Sequence, residues 1–234
     1  MDSVFDREGI VRRPPSARLV SELGRLLFHH PPPPDPATLP SGRNHVVLVL
    51  PAVLTGDGAT RPLRSFLQRC GYRVFGWELG VNWGPTPRLL DGSRQRLEAL
   101  AAIEAGPISL IGVSLGGLMA RDLAHRFPHR VRQVATLGSP FRLPTATPLE
   151  PLFRLLARYY SADIDPRRLA APLPMRSIEL YSREDGLVAP ETCFTEEPGQ
   201  TARETARDVG GAHMTICRNP AALAALARAL AEPL

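Results

Sequence analysis

The stretch Ile108-Ser109-Leu110-Ile111-Gly112-Val113-Ser114-Leu115-Gly116-Gly117 decides the reading of this chain. Its apolar start predicts a buried strand at 108–111, and the spacing of residues 115–127 predicts a helix. Ser114 therefore stands on a sharp strand-to-helix turn, its hydroxyl lifted above the sheet. Glycines two before and two after suit that turn, because neighbouring backbone passes too close for a Cβ. The helix N-terminus below Ser114 favours negative charge developing there. The alternative is a glycine-rich turn that holds a phosphate. That turn wants further amide-presenting glycines or a lysine, and the sequence contains no lysine.

Outward from this turn, strands and helices alternate. Val46-Val47-Leu48-Val49-Leu50 reads as a strand buried on both faces. A helix near 59–70 follows and stops at Gly71, and Tyr72-Arg73-Val74-Phe75 is the next strand. A helix near 88–105 leads into 108–111. Beyond the helix at 115–127, strands are predicted at 131–137, 177–181 and, weakly, 204–209, with a terminal helix at 220–231. Such alternation implies parallel crossovers and a doubly wound, mostly parallel α/β sheet of about six strands.

The N-terminal part reads differently. Residues 16–29 carry a helical pattern in Leu19, Val20, Leu23, Leu26 and Leu27, with Ser16 as N-cap. Pro31-Pro32-Pro33-Pro34 then imposes an extended connection, either a stiff spacer or a ligand for a proline-reading partner. We divide the chain into residues 1–43, an N-terminal helix and proline-rich spacer packed on the core, and residues 44–234.

Composition narrows the function classes. The apolar fraction of 44% suits a globular core, and the formal charge of +5 comes from arginines scattered singly or in pairs. A nucleic-acid protein gathers such charge into a run or stripe, so none is expected as partner. Cys70, Cys193 and Cys217 are too few and too irregular for a disulfide framework or a zinc site, although a Cys193–Cys217 bridge stays open. The charged start Met1-Asp2-Ser3-Val4-Phe5-Asp6-Arg7-Glu8 has no signal core behind it, and no apolar stretch reaches a membrane span. A soluble, cytoplasmic chain is the expectation.

Two later segments supply an acid and a base. Asp185, in Ser182-Arg183-Glu184-Asp185-Gly186, follows the strand at 177–181 and lies where doubly wound sheets place their sites. Glu184 and Asp208 compete with it, and a plain surface turn is the other reading of Asp-Gly. His213, in Gly210-Gly211-Ala212-His213-Met214, sits on a glycine-flanked loop before the terminal helix. There it can accept a proton from a serine and later return it. His29, His30, His45, His125 and His129 lie before the acid or below the elbow helix and fit poorly. The chain order is serine, acid, histidine, which α/β-hydrolase triads use and other triad folds do not.

Together these segments resemble the α/β-hydrolase superfamily, small bacterial lipases and esterases in particular, over residues 44–232. The resemblance implies a serine esterase that forms an acyl-enzyme on Ser114, with Asp185 as acid and His213 as base. Leu50-Pro51-Ala52-Val53-Leu54 is similar to the loop whose backbone holds the oxyanion, with Ala52 in place of the family's glycine. It implies the amides of Val53 and Leu115 as donors. Leu79-Gly80-Val81-Asn82-Trp83-Gly84 and Leu137-Gly138-Ser139-Pro140 are similar to the same subgroup. Leu54, Asn82, Trp83 and Met214 are expected in the substrate pocket, with a well-packed loop and a stacked tryptophan as the other reading of Asn82 and Trp83. The family's two leading strands are not visible, which fits the six-stranded sheet. No metal and no organic cofactor are implied; the partner is a small-molecule or lipid-like ester.

Residues of about 141–174 form an insertion. Leu152, Leu155, Leu156, Tyr159 and Tyr160 fall on one helical face, away from Arg154 and Arg158. The segment is either a short helical lid, with Leu156 and Tyr160 facing the pocket, or a helix packed permanently on the core. Acyl transfer and thioester cleavage use the same three residues. A non-catalytic binding protein on a hydrolase fold is the alternative from another class.

Overall fold

Val46–Leu50 (β1) is buried along its whole length, as a strand covered by helices on both faces must be. In the computed structural model, which describes residues 14–15, 17–28, 31–143, 147–161, 163–195 and 204–233, β1 lies inside a six-stranded sheet. The other strands are Arg73–Gly76 (β2), Ile108–Val113 (β3), Val131–Leu137 (β4), Arg176–Tyr181 (β5) and Glu204–Asp208 (β6). Their order is β2-β1-β3-β4-β5-β6, with every pairing parallel. The doubly wound α/β class is thus present, and the described sheet is parallel throughout. Chain direction across the sheet reverses between β1 and β3. The carboxyl ends of these two strands therefore diverge into loops on either side of a crevice, where such sheets bind ligands.

The helices are Ala17–Phe28 (α1), Asp57–Arg69 (α2), Pro87–Glu104 (α3), Leu115–Arg126 (α4), Glu150–Leu156 (α5), Pro166–Ala170 (α6) and Pro220–Ala231 (α7). Because side chains alternate along a strand, β1 feeds two cores. Val47 and Val49 pack with Leu63, Phe66 and Leu67 of α2 and Leu223, Leu226 and Leu230 of α7. Val46, Leu48 and Leu50 pack on the other side with Leu97 and Leu100 of α3 and Met119 and Leu123 of α4. Local chemistry sets the helix starts. Thr86 and Asn219 cap α3 and α7 with their side chains, each followed by a proline at the first helical position.

Helix α1 departs from the expected orientation. Its inward face is Leu19, Glu22 and Leu26; Glu22 is buried, and Leu19 packs beside Leu187 and Val188. Val20, Leu23, Leu27 and Phe28 face outward at 74%, 53%, 64% and 85% exposure, so only part of the predicted apolar stripe meets the protein. Ser16, the expected N-cap, lies outside the described residues. Downstream, Pro36–Thr38 forms a single 3-10 turn capped by Asp35. No described helix is long and apolar enough to cross a membrane. All three cysteines are free thiols, so Cys193 and Cys217 do not pair.

The insertion is fastened at its second half. Arg121 of α4 is fully buried; it donates to the carbonyls of Leu169 and Ala171 at 2.7 and 2.6 Å and lies 3.8 Å over the Phe141 ring. Its charge is paired with the equally buried Glu179 at 3.5 Å. Helix α5 is shorter than expected, giving way to a 3-10 turn at Ala157–Tyr159.

Candidate active site

Ser114 caps the start of α4 with φ 51° and ψ −121°, a left-handed backbone that a serine adopts only under constraint. The constraint is visible on both sides. Ser114 donates its amide to the Leu137 carbonyl at 2.8 Å, and its own carbonyl accepts from Gly117 at 2.9 Å. The flanking glycines are sterically required. A Cβ on Gly112 would lie 2.3 Å from Gly117 Cα, and one on Gly116 would lie 2.4 Å from the Leu50 carbonyl oxygen. The second contact presses the start of α4 against the end of β1, where the 51–55 loop begins.

Asp185 and His213 meet from two later loops. His213 Nδ1 lies 2.6 Å from Asp185 Oδ2, both groups being buried. The other carboxylate oxygen accepts the amides of Leu187 and Val188 at 2.8 and 2.7 Å, which fixes the acid in a tight turn. A carboxylate only accepts, so Nδ1 carries the proton and Nε2 is left with a lone pair. Ser182 Oγ donates to the Gly211 carbonyl at 2.6 Å and ties the two loops together. The competing acids point elsewhere. Glu184 pairs with Arg25 at 2.7 Å on the surface, and Asp208 accepts the Gly210 amide at 3.0 Å.

Gly138 at the end of β4 brings the serine and the histidine to one place. Its φ of +56° suits glycine, and a Cβ there would lie 3.0 Å from His213 Nδ1 and 3.4 Å from Asp185 Oδ2. The imidazole thus stacks on bare backbone one residue beyond the carbonyl that holds Ser114. No hydrogen bond joins Ser114 Oγ to His213 in this structure, and such bonds often tighten only with substrate present. Burial pulls the His213 pKa down, but attraction and hydrogen bonding from Asp185, with the Glu22 charge behind, raise it overall.

The 51–55 loop stands beside this constellation. No acceptor among the described residues takes the Val53 amide. Leu115 opens α4, so its amide has no partner within the helix. Both side chains join one apolar cluster with Leu118, Phe141, Phe153, Ile164 and Leu169. Two free N–H groups near a strained serine can hold an oxyanion.

The expected pocket residues divide. Trp83 and Leu156 share a cavity of about 550 Å³ with Leu79, Val81, Thr86, Arg88, Leu89 and Tyr159. Leu54 and Met214 are partly exposed, at 44% and 39%. Asn82 is not among that cavity's walls: it is fully buried, its side chain donating to the Pro51 carbonyl at 2.7 Å and accepting the Gly84 amide at 2.9 Å. With two backbone bonds to Leu54 and Thr55, it staples the 51–55 loop. Tyr160 packs its ring on Gly84, where a Cβ would lie 2.2 Å from it, rather than on the cavity. The predicted apolar face of α5 is only half realised, because Leu155 and Tyr159 are mostly exposed and Phe153 turns inward.

Sequence reasoning passed over Glu22, and named Gly138 only within a strand exit, with no role at the site. The Glu22 carboxylate accepts the amides of Gly186, His213 and Met214. Its one sequence signal was a glutamate in the helical row of Leu19 and Leu26.

Comparison with known proteins agrees with this architecture. Residues 50–174 match a family model described as alpha/beta hydrolase fold. Lipase B of Aspergillus fumigatus superposes with a TM-score of 0.57 at 15% identity, covering 82% of this chain and 53% of that one. An extracellular alpha/beta-hydrolase from a Paenibacillus species gives 0.52 at 15% identity, covering 81% of this chain and 100% of that one. Monoacylglycerol lipase of Paleococcus ferrophilus gives 0.52 at 13% identity, covering 75% and 88% respectively. No curated protein matches the sequence.

Proposed function

This chain belongs to the alpha/beta hydrolase family, and from that membership we propose that it hydrolyses carboxylic esters through an acyl-enzyme on Ser114. The observation that carries the reading is the 2.6 Å contact of His213 Nδ1 with Asp185 Oδ2, stacked on Gly138 beside the strained Ser114.

His213 Nε2 takes the Ser114 proton as Oγ attacks the ester carbonyl, and Asp185 stabilises the imidazolium that forms. The amides of Val53 and Leu115 receive the oxyanion. Collapse releases the alcohol, which takes its proton from His213. A water deprotonated by the same nitrogen then frees the acid. The substrate is a small-molecule or lipid-like ester, and the apolar walls given by Trp83 and Leu156 suit its acyl or aryl part. Residues 1–43 are taken as an N-terminal segment packed on the unit at 44–234. The insertion of about 141–174 is read as a lid whose second half is anchored by Arg121 and whose first half carries α5.

The test is hydrolysis of a short p-nitrophenyl ester by the wild type and Ser114→Ala, with fluorophosphonate labelling alongside. Turnover and labelling that vanish together in the variant support the serine mechanism. A folded wild type that neither labels nor turns over defeats it and favours a binding protein. Product analysis with an alcohol or acyl-thioester present separates hydrolysis from acyl transfer and thioester cleavage.

A further inference from the structure

Glu22 is the one buried residue of α1, and its carboxylate serves two distant loops. Oε1 accepts the Gly186 amide at 2.8 Å and the His213 amide at 2.9 Å, from residues 164 and 191 positions along the chain. Oε2 accepts the Met214 amide at 2.9 Å. Gly186 directly follows the acid, and His213 is the base itself. The contact is close by construction: a Cβ on Gly186 would lie 2.9 Å from Glu22 Cγ. The Glu22 carboxylate takes three backbone amides from the two loops whose separation sets the Nδ1–Oδ2 contact. Hydrogen bonds to a charged acceptor are about twice as strong as neutral ones, so the clamp is stiff.

We propose that Glu22 is a positioning residue that clamps the acid loop to the base loop and fixes where His213 stands. The proposal rests on reading His213 as the base. Its charge also acts on the ring. Among the groups around His213, Asp185 and Glu22 favour the imidazolium against the pull of burial. The remaining charges nearby are committed elsewhere. Arg18 of α1 bonds the carbonyls of Arg183 and Asp185, Arg25 pairs with Glu184, and Arg183 pairs with Asp208. Arg218 lies on the histidine's own turn.

The test is Glu22→Gln, which keeps the shape, removes the charge, and sets a side-chain NH2 or a lost bond against one of three amide donors. Misplacement of the base lowers kcat at least tenfold, up to roughly 100-fold, while KM holds because Glu22 touches no substrate. The acid limb of the pH profile moves to lower pH, and the His213 ring, followed by NMR, titrates lower. Glu22→Asp keeps the charge on a stem one methylene shorter. It is expected to lose kcat with the acid limb near that of wild type, which covers the case of a Gln variant that does not fold. Wild-type kcat in either folded variant overturns the proposal. So does a kcat loss in Glu22→Gln that fluorophosphonate titration traces wholly to fewer active molecules, with the limb and the NMR titration unmoved. Should the wild type fail to turn over esters, the active-site reading fails, while the NMR titration still reports whether Glu22 acts on His213.

Discussion

Replacing Asn82 with alanine would cut the staple that holds the 51–55 loop beside Ser114. The side chain is fully buried and makes two hydrogen bonds, to the Pro51 carbonyl at 2.7 Å and from the Gly84 amide at 2.9 Å. Both backbone groups belong to buried residues. Leaving a buried donor or acceptor unpaired costs about 1–3 kcal/mol each. The smaller end of that range for both groups, plus the vacated volume, gives a loss of roughly 3 kcal/mol. For a chain of this size each kcal/mol lowers Tm by about 2–4 °C, so a drop of about 6–12 °C is expected in a thermal melt. The same change frees the Val53 amide from its fixed position. Removing one oxyanion donor typically costs 10²–10³ in kcat, and displacing one is expected to cost roughly tenfold or more. Calorimetry and p-nitrophenyl ester kinetics on the same preparation read both effects. An Asn82→Ala protein that melts within about 2 °C of wild type, on the same scale, and keeps its kcat would refute the reasoning.

Four further outcomes are expected. Ser114→Gly relieves the positive φ that a side chain resists, so it should melt about 2–4 °C higher while losing all ester hydrolysis; a lower Tm would show that the elbow is not strained. The raised His213 pKa places the acid limb of kcat/KM above pH 6.5, because the base must be neutral to work. Asp185→Asn removes the group that favours imidazolium, which should move that limb down and cut kcat by roughly 10⁴; a limb that stays put removes Asp185 from the assignment. Leu156→Ser with Tyr159→Ser makes two cavity walls polar and should shift preference toward shorter acyl chains, measured across a p-nitrophenyl ester series. An unchanged preference in the folded double variant detaches the cavity from the substrate.

The strands were legible because their cause is local: Val46–Leu50 is an unbroken apolar run of the kind that a sheet covered on both faces accommodates. The elbow was legible for the same kind of reason, since Gly112, Ser114 and Gly116 must sit at fixed offsets for the chain to turn. Parallel pairing followed from the alternation of strand and helix, and with it the rim where Asp185 and His213 arrive; the order β2-β1-β3-β4-β5-β6 is tertiary. The choice of Asp185 over Glu184 rested on neighbours alone, and tertiary structure decided its geometry by turning Glu184 out to Arg25. Asn82, Tyr160 and Glu22 show the limit. Each is defined by a partner far along the chain, Pro51, Gly84 and His213 respectively. Periodicity reports which side of an element is apolar, not which distant group will stand opposite it. In α1 it pointed outward as much as inward: Glu22 meets three backbone amides, those of Gly186 and His213 buried, while Val20, Leu23 and Leu27 stay exposed. The sequence by itself determined a parallel sheet with a serine on its central turn; folding decided which acid and which loops stand around that serine, since these groups come together only through contacts between segments remote in sequence.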